Sequence, residues 1–466
     1  MSISMEKWYD NAVFYHIYPL GLCGAEKEND GITVTNRLEG LEQWIPHMVE
    51  IGCNALYIGP LFESVGHGYE TTDYRLVDRR LGSNEAFTHF VKNCHKNGIK
   101  VVVDGVFNHT GRSFFAFEDI KQNREKSSYR DWYCNVNFQG NNEYNDGFSY
   151  ESWRGYNVLV KLNQRNPQVK QYIFEVIRFW VEQFNIDGIR LDCADVLDFD
   201  FMREMRSFCN QVKQDFWLMG EVIHGDYSRW VNEDTLHSVT NYELHKAFYS
   251  AHNDHNYFEI AHTVKRLFDP NGGLCRQGTL YSFVDNHDVD RIYSKLNSKE
   301  HLYPVHILLF TLPGIPSIYY GSEFAIEGRK DSRSDDPVRP FLTLSDYRKE
   351  EMEEGTKHID YPTEYGKLTE LISILAGVRK ESKELQYGLY KELFLTNRQY
   401  AFARIYNNRA VITAVNNDDS IFKMSIPLPI EIKQVKNLMN GEEIEVVGNR
   451  IEIEVNGNHG VLLLCV

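Results

Sequence analysis

Four short segments of the chain combine carboxylate, imidazole and guanidinium groups at the end of an apolar run. They are Asp104-Gly-Val-Phe-Asn-His109, Gly188-Ile-Arg-Leu-Asp-Cys-Ala-Asp195, Gly220-Glu-Val-Ile-His224 and Val284-Asp-Asn-His-Asp288. Because side chains alternate along a strand, an apolar run that ends in charge places its polar groups at one strand end. This recurrence predicts polar residues gathered at one rim of a barrel of parallel strands.

The carboxylates of these segments suit the cleavage of a glycosidic bond with retention of configuration. That reaction needs a nucleophilic carboxylate and a carboxylic acid about 5–5.5 Å away. Asp192 suits the nucleophile, because Arg190 on the same strand face keeps it ionised and aimed. Glu221 suits the acid, since apolar walls and neighbouring carboxylates raise such a pKa. Asp288 is expected to hold sugar hydroxyls and to support developing positive charge.

The same residues have plainer interpretations when each is taken alone. His109 and His287 are expected to donate hydrogen bonds to sugar hydroxyls, but a His beside Asp or Asn also suits a metal ligand. Arg190 and Asp192 alone fit a structural ion pair. A metal site needs closely spaced ligands, and the chain has no HxxxH or HxH spacing. Four such strand ends in barrel order favour a glycosidase over a metal-dependent barrel hydrolase.

Strand and helix patterns alternate along most of the chain, which is typical of a parallel sheet. Four helices are predicted, at Leu38–Ile51, Asn84–Asn97, Pro167–Phe184 and Phe199–Val212. The candidate strands number eight, which is the number of a closed parallel barrel. They are residues 13–19, 55–59 and 99–106, the Arg190/Asp192 strand, the strand before Glu221, and residues 238–242, 280–284 and 317–320.

The pattern changes twice, which predicts three domains. Residues 110–160 are rich in Asn, Tyr, Phe, Gly and Ser without clear periodicity, and a stretch this long is functional or a small domain. Short β-rich runs separated by Asn, Asp and Gly fill residues 385–466 and predict an antiparallel β-sandwich. The expected division is a barrel over 1–109 and 161–384, an inserted domain over 110–160 and a sandwich over 385–466.

Composition narrows the function classes. The net charge of −16 over 466 residues argues against nucleic acid as the main partner. No run is apolar and long enough to cross a membrane, and the N-terminus lacks the apolar core of a secretory signal. The 8 cysteines are scattered without CxxC spacing, so we expect reduced thiols and a cytoplasmic location.

The four segments together resemble the conserved regions of the α-amylase family of glycoside hydrolases, and the resemblance covers essentially the whole chain. It implies an α/β fold, a (β/α)8 TIM barrel with a small domain inserted after the third strand and a C-terminal β-sandwich. It also implies Asp192 as nucleophile, Glu221 as acid/base and Asp288 as transition-state stabiliser. A non-enzymatic relative of the family should have lost these carboxylates.

The resemblance also implies residues that contact the substrate. Tyr69 in Gly66-His-Gly-Tyr-Glu-Thr-Thr-Asp73 is similar to the family tyrosine that stacks on the sugar at the cleavage site. Arg190, His109 and His287 are implied as polar partners around that sugar, and Asp104 as a structural member of the set.

A clamp for the next sugar is implied by Asp336-Pro-Val-Arg339, which resembles a family Asp/Arg pair. Its spacing is one residue shorter than usual, so Asp335 is an alternative partner for Arg339. The family's exo-acting α-glucosidases carry an Asp where this chain has Gly66, which disfavours a strict exo-glucosidase.

Finer features resemble the neopullulanase, cyclomaltodextrinase and maltogenic amylase branch. Lys161-Leu-Asn163 is similar to its MPKLN stretch, and Asp192-Cys-Ala-Asp-Val-Leu-Asp198 to its DVANEVD. Glu221-Val-Ile-His224 resembles GEIWH, which implies His224 near the leaving group. That branch usually carries an N-terminal β-domain, whereas this chain enters the first barrel strand at Val13. A monomer with an open cleft is therefore expected.

The expected activity is hydrolysis of α-1,4-glucosidic bonds in starch-derived α-glucans and maltooligosaccharides. The alternatives are a cyclomaltodextrinase or neopullulanase, or a transferase that uses the same covalent intermediate. No cofactor is expected to be required. A structural calcium is the open question, because the family's site uses the equivalent of Asn108, and the inserted segment offers Asp146 and Glu143 as oxygen ligands.

Overall fold

The computed structural model describes residues 6–275, 280–332, 334–353 and 356–466. Within them, eight parallel strands form the central barrel, as predicted. Hydrogen bonds join the first strand through to the sixth in order, the seventh to the eighth, and the eighth to the first. A single bridge between Thr240 and Tyr281 joins the sixth and seventh, so the barrel is nearly closed. The strands are Phe14–Ile17, Ala55–Ile58, Lys100–Gly105, Gly188–Leu191, Trp217–Gly220, Ser238–Val239, Tyr281–Phe283 and Ile315–Tyr319.

The helix Pro167–Phe184 shows why the barrel layers form where the sequence predicts them. Its buried residues recur every three or four positions, which gives one apolar face toward the core. Asn166 caps its first turn by accepting a hydrogen bond from the Gln168 amide, and Asn185 ends it in a left-handed conformation. The helices Phe199–Val212 and Pro167–Phe184 have the predicted bounds.

Two predicted elements differ in the structure. The single helix expected over Leu38–Ile51 is two helices, Leu38–Leu41 and Trp44–Glu50. Pro46 has no amide hydrogen to donate to the carbonyl four residues earlier, so one continuous helix through it is disfavoured. The helix is interrupted before Pro46, which lies in the first turn of the second helix, where that hydrogen bond is not needed. The sixth strand ends at Val239, because Asn241 caps the helix Tyr242–Asn253. The remaining α-helices are Pro19–Leu22, Asn84–Lys96, Phe115–Asn123, Tyr257–Phe268, Ile292–Lys295, Leu302–Thr311, Gly366–Glu381 and Lys383–Tyr387.

The segment after the third barrel strand has regular structure that periodicity did not predict. It contains the helix Phe115–Asn123 and an antiparallel sheet of the strands His109–Gly111, Tyr156–Lys161 and Ser152–Trp153. Two hairpins leave the barrel elsewhere, formed by Phe62–Ser64 with Thr71–Val77 and by Lys349–Glu353 with Thr356–Asp360.

The C-terminal region is an antiparallel sandwich, which with the barrel confirms the predicted fold class. Because side chains alternate along a strand, its central sheet buries both faces. Tyr400 and Phe402 join the barrel-side core, whereas Ala401 and Ala403 face the smaller sheet. The larger sheet has the strands Leu389–Leu395, Gln399–Tyr406, Arg409–Asn416, His459–Cys465, Val435–Asn437 and Glu443–Ile444, and the smaller has Phe422–Pro427, Arg450–Val455 and Val446–Val447.

The domain boundaries expected from composition stay predictions. In the part of the chain that the structure describes, no helix combines the length and the apolar character needed to cross a membrane.

Candidate active site

The predicted polar residues meet at the carboxyl end of the barrel strands. Asp104 lies near the end of the third strand and is paired in register with Arg190 of the fourth. Asp192 and Glu221 each lie one residue beyond the fourth and fifth strands, whose last residues pair with each other. Asp288 follows the seventh strand. In a parallel barrel this end carries the functional groups.

The Arg190 guanidinium is the centre of the site. Its Nη1 donates to Asp104 Oδ1 at 2.9 Å and to Asp192 Oδ1 at 2.8 Å. Its Nη2 lies 2.9 Å from Glu221 Oε2. Arg190 is only 2% exposed, Asp192 5% and Glu221 9%, so the cluster is screened from water yet opens to the barrel rim. One cation thus orients three carboxylates.

Backbone hydrogen bonds fix the two central carboxylates. The Asp192 amide donates to the Gly105 carbonyl at 3.1 Å, and the Glu221 amide donates to the Leu191 carbonyl at 2.9 Å. Both bonds continue the barrel ladder one residue past the strands. The Cys193 amide donates to Glu221 Oε2 at 3.0 Å. An oxygen of Asp192 and an oxygen of Glu221 consequently lie within 4.8 Å of each other.

Burial and the neighbouring charges determine the pKa of Asp192. Burial raises the pKa of the Asp192 carboxyl well above its usual range; Arg190 opposes this shift, and Glu221 and Asp104 reinforce it. Burial and the two neighbouring carboxylates thus oppose ionisation of Asp192, and Arg190 supports it.

Asp288 lies in a different environment, with a side chain about one third exposed. Arg339 Nη2 donates to its Oδ1 at 2.8 Å, and His287 Nε2 lies 3.1 Å from its Oδ2. Burial of the Asp288 carboxyl tends to raise its pKa. His287 and Arg339 outweigh burial and hold the pKa of Asp288 well below its usual range. This carboxylate stays ionised.

Tyr69 connects the two carboxylate groups. Its hydroxyl lies 3.2 Å from Asp104 Oδ2 and 2.5 Å from His287 Nε2. Its ring is nearly parallel to that of His287, with centroids 5.9 Å apart. Burial and the Asp104 carboxylate raise the pKa of Tyr69, which remains a neutral phenol.

His109 lies beneath Tyr69, with both ring nitrogens engaged by the protein. Its Nε2 is 3.1 Å from the Tyr69 carbonyl and its Nδ1 is 3.1 Å from Asn108 Nδ2. Burial lowers the pKa of His109 to about 3, so the ring is neutral. The hydrogen bond that the sequence predicts from His109 to a sugar hydroxyl would have to replace its contact with the Tyr69 carbonyl or with Asn108 Nδ2.

In the segment predicted to clamp the next sugar, Asp335 is the residue that pairs with Arg339. Arg339 Nη2 donates to Asp335 Oδ2 at 3.0 Å, whereas Asp336 forms an ion pair with Lys27 at the rim. The partner that the sequence offered as an alternative is therefore the one that contacts Arg339. His224 is exposed on the loop after the fifth strand, and the roles predicted for His224 and Asp336 stay predictions.

The residues proposed for calcium do not form a matching set. Asn108 Oδ1 is buried without a hydrogen-bond partner, which suits a ligand. Asp146, however, accepts two hydrogen bonds from Arg112, at 2.9 and 3.0 Å, and Glu143 is exposed. Because a guanidinium already neutralises Asp146, these residues do not fit a calcium ion.

Sequence reasoning missed Tyr57 and Tyr242. The Tyr57 hydroxyl donates to Asp104 Oδ2 at 2.8 Å, so Asp104 is held by Arg190 and two tyrosines. Tyr242 is near both Glu221 and Asp288, which together with burial raise its pKa. The sequence could have predicted the contact of Tyr57 with Asp104. Tyr57 lies on the strand Ala55–Ile58, next to the strand that carries Asp104, and its side chain lies on the face toward the barrel interior.

A cavity outside this site lies at the opposite end of the barrel. It has a volume of about 560 Å³ and is lined by residues that include Trp8, Lys100, Asp187 and Lys213. Two of its lysines, Lys100 and Lys213, are paired with Asp187. This cavity brings together none of the predicted catalytic residues.

A parallel barrel with carboxylates and a guanidinium at its carboxyl rim suits a glycoside hydrolase. Comparison with known proteins defines the family. The model of the α-amylase catalytic domain matches residues 17–360. The chain therefore belongs to the α-amylase family of glycoside hydrolases.

Individual relatives are similar over most of the chain. A cyclomaltodextrinase of Thermoanaerobacter pseudethanolicus is 30% identical over 97% of this chain and 77% of its own length. Neopullulanase 2 of Thermoactinomyces vulgaris is 30% identical over 98% of this chain and 78% of its own. The solved debranching enzyme of Nostoc punctiforme is 26% identical, with a TM-score of 0.82 over 98% of this chain and 100% of that one.

Proposed function

We propose that the protein is a retaining hydrolase of α-1,4-glucosidic bonds in starch-derived α-glucans and maltooligosaccharides. Asp192 is the nucleophile and Glu221 the acid/base. The observation that carries this proposal is the placement of one oxygen of each residue within 4.8 Å of the other. Retaining enzymes hold these groups about 5–5.5 Å apart, whereas inverting enzymes need about 6.5–9.5 Å for an intervening water.

The first step forms a glycosyl–enzyme bond. Glu221 gives its proton to the glycosidic oxygen while an Asp192 oxygen attacks the anomeric carbon, so the bond to the leaving sugar breaks. In the second step Glu221 removes a proton from water, the water oxygen attacks the anomeric carbon, and Asp192 is released. The first step needs a protonated Glu221 and an ionised Asp192, and Arg190 favours the ionised form by donating to Asp192 Oδ1 at 2.8 Å.

Positive charge that develops on the sugar ring is balanced by Asp288. This role needs an ionised carboxylate, and the low pKa of Asp288 supports it. Tyr69 offers a ring for stacking on the sugar, and Arg190 keeps the nucleophile aimed between the two steps. His287, tied to Asp288 and Tyr69, is proposed to bind a hydroxyl of the same sugar.

The substrate class rests on the relatives. The cyclomaltodextrinase and neopullulanase names of two of them favour a second candidate, a cyclomaltodextrinase- or neopullulanase-type hydrolase with the same chemistry. Another relative, of Bacillus subtilis, is named an intracellular maltogenic amylase, which supports an α-glucan substrate. The cytoplasmic location stays a prediction. We propose that no cofactor, calcium included, is required, because Asp146 is already paired with Arg112, so a chelator should leave the rate unchanged.

Two variants test the roles separately. Asp192→Asn and Glu221→Gln should each lose about four orders of magnitude in kcat on maltooligosaccharides. On α-maltosyl fluoride, whose leaving group needs no protonation, Glu221→Gln should still form the glycosyl–enzyme and accumulate it on Asp192. Mass spectrometry of a peptic digest locates the adduct. Adduct on another carboxylate, or near wild-type turnover by either variant, contradicts the assignment.

A product time course separates the two substrate classes. Soluble starch and a cyclodextrin are digested in parallel by the same enzyme preparation. A ladder of oligosaccharides from starch with slow ring opening supports the α-amylase-type activity. Fast ring opening with maltose as the main product supports the second candidate, and the catalytic assignment is the same in both.

A further inference from the structure

His16 lies on the first barrel strand, is only 2% exposed, and has no role in the proposed mechanism. Its ring stacks on that of Tyr57 with centroids 4.2 Å apart. The His287 ring is nearly perpendicular to it, with centroids 5.1 Å apart. Tyr57 donates to Asp104, and His287 contacts Asp288. One imidazole is therefore a single side chain away from both charged clusters at the rim.

The neighbours of His287 determine which of its ring nitrogens carries a proton. Asp104 accepts hydrogen bonds from Arg190 and is an acceptor for the Tyr69 hydroxyl at 3.2 Å. The Tyr69 oxygen then offers only lone pairs to His287 Nε2, which is 2.5 Å away. Asp288, 3.1 Å from the same nitrogen, is ionised and also accepts only. Both contacts therefore require a proton on His287 Nε2.

The other nitrogen of His287 needs a donor. In a neutral ring with its proton on Nε2, Nδ1 is an acceptor. Among the residues that the structure describes, His287 Nδ1 and His16 Nε2 are both buried without a hydrogen-bond partner. Buried polar atoms left in this way cost stability, and one water that donates to His287 Nδ1 and bonds to His16 Nε2 satisfies both. The two adjacent rings thus share one requirement.

We propose that His16 is a positioning residue that holds the proton of His287 on Nε2 through one shared water. If Nδ1 takes the proton instead, the Nε2 lone pair faces the Asp288 carboxylate and no longer donates to it. Burial raises the pKa of Asp288, and His287 is the main group that lowers it. His16 thereby keeps Asp288 ionised for its role in charge balance. This consequence rests on the proposed function, whereas the position of the proton does not.

His16 is suited to this role because its own ring is neutral. Burial, His287 and Arg190 lower the pKa of His16 well below its usual range; Asp288 opposes this shift and Arg291 adds to it. A neutral imidazole has one donor and one acceptor nitrogen and adds no charge beneath the carboxylates. It therefore stays the same hydrogen-bond partner from neutral to mildly acidic pH.

The test compares the wild-type enzyme with His16→Phe, which keeps a ring and removes both nitrogens, and with His16→Gln, whose amide is able to bond in place of Nε2. His306→Phe is the matched control. His306 is 0% exposed, lies on the helix Leu302–Thr311 and has an Nε2 that is likewise without a partner in the described part of the chain. Ring ¹⁵N chemical shifts of protein labelled with ¹⁵N-histidine report the tautomer, and His287→Gln identifies the His287 signals. The pH profile of kcat/KM on maltooligosaccharides is measured on the same proteins.

We expect the His287 proton on Nε2 in wild type, His16→Gln and His306→Phe, and a shift toward Nδ1 in His16→Phe. We also expect kcat/KM to fall about 10-fold in His16→Phe, with its acid limb at higher pH, and His16→Gln to restore most of the loss. A proton on Nδ1 in the wild type overturns the proposal without any variant, as does a His287 tautomer that His16→Phe leaves unchanged. The expected tautomers in an enzyme that does not cleave maltooligosaccharides support the role of His16 and refute the proposed function.

Discussion

Two guanidinium groups organise the site, and they do so in opposite ways. Arg190 is buried and faces three carboxylates, Asp104, Asp192 and Glu221. Arg339 faces the partly exposed Asp288 and Asp335 and lies over the Tyr18 ring. Burial and the excess of carboxylates in the first cluster raise the pKa of Asp192. The second holds the pKa of Asp288 below its usual range.

The same rim thus holds two carboxylates with opposite tendencies to ionise. Burial and the carboxylates around Arg190 raise the pKa of Asp192, while Arg339 and His287 keep Asp288 ionised beside it. Environments that push the pKa values of neighbouring carboxyls apart are the basis of acid and base assignments in enzymes. Substitutions in the two clusters test this comparison.

The largest effect is expected when Arg190 is removed. Arg190→Met leaves three buried carboxylates without their cation, and breaking a buried ion pair in this way costs about 3–5 kcal/mol of folding stability. Thermal unfolding measures the loss, and Arg339→Met should lose clearly less, because its partners are partly exposed. If Arg190→Met fails to fold, Arg190→Lys keeps the charge and should still lower the midpoint more than Arg339→Lys. Equal losses contradict the comparison.

Ionisation of Asp192 should make the stability of the protein depend on pH. Folded Asp192 keeps its proton above the unfolded pKa of about 3.9, so between the two values the folded state binds more protons and stability falls as pH rises. Asp192→Asn cannot ionise and should have a higher melting midpoint than wild type above this window, with no gain below about pH 4.

Asp288→Asn is the matched control and should show the opposite sign. The folded pKa of Asp288 is depressed, so its contribution to stability is present above the unfolded pKa and is lost as pH falls through the folded pKa. The midpoint of Asp288→Asn should therefore be lower than that of wild type at neutral pH, and the difference should vanish in acid. The same sign for both variants refutes the proposed charge balance.

A smaller effect is expected on the acid limb of activity. Arg339 helps to lower the pKa of Asp288, so Arg339→Met should raise that pKa and move the acid limb of kcat/KM to higher pH. The pH profile on maltooligosaccharides measures the shift. Asp336→Asn is the control, since Asp336 contacts Lys27, and an equal shift in that variant counts against the role of Arg339.

The smallest effect separates Asp335 from Asp336. Asp335→Asn removes a carboxylate partner of Arg339 and should raise KM by about 10-fold, which is the size of one lost charged hydrogen bond. Asp336→Asn should leave KM nearly unchanged, because the Lys27 pair is exposed at the rim. Initial rates over a range of maltooligosaccharide concentrations decide, and the reverse ranking favours the motif spacing over the observed contact.

Local sequence was sufficient for the strand ends. Arg190, Asp192 and Glu221 follow short apolar runs, and parallel strands must bring such ends to one rim. Local sequence was not sufficient for partners that come from separate loops, such as Lys27 with Asp336. Asp335 had no such local signal: residues 336–338 form a 3-10 turn, on which residues three apart share a face, so local geometry favours Asp336, whereas the structure pairs Arg339 with Asp335.

The inserted segment shows a different limit. The helix Phe115–Asn123 buries only Ala116, Phe117 and Ile120, too few positions for a clear period. The Phe117 ring packs against Tyr133, Phe148 and Tyr150, which come from later in the chain. Tertiary contacts between these rings therefore define the element, and no window of local sequence contains them.

The backbone anchoring of Asp192 and Glu221 has a consequence for the anomeric form of the product. The two residues extend adjacent strands by one position each, and adjacent strands lie about 4.7–4.9 Å apart. An inverting reaction needs about 6.5–9.5 Å between its carboxylates, which is more than the distance between adjacent strands. Under the proposed roles, the anomeric configuration of the product therefore follows from the spacing of the strands, and an inverting site would need its second carboxylate on a strand that is not a neighbour.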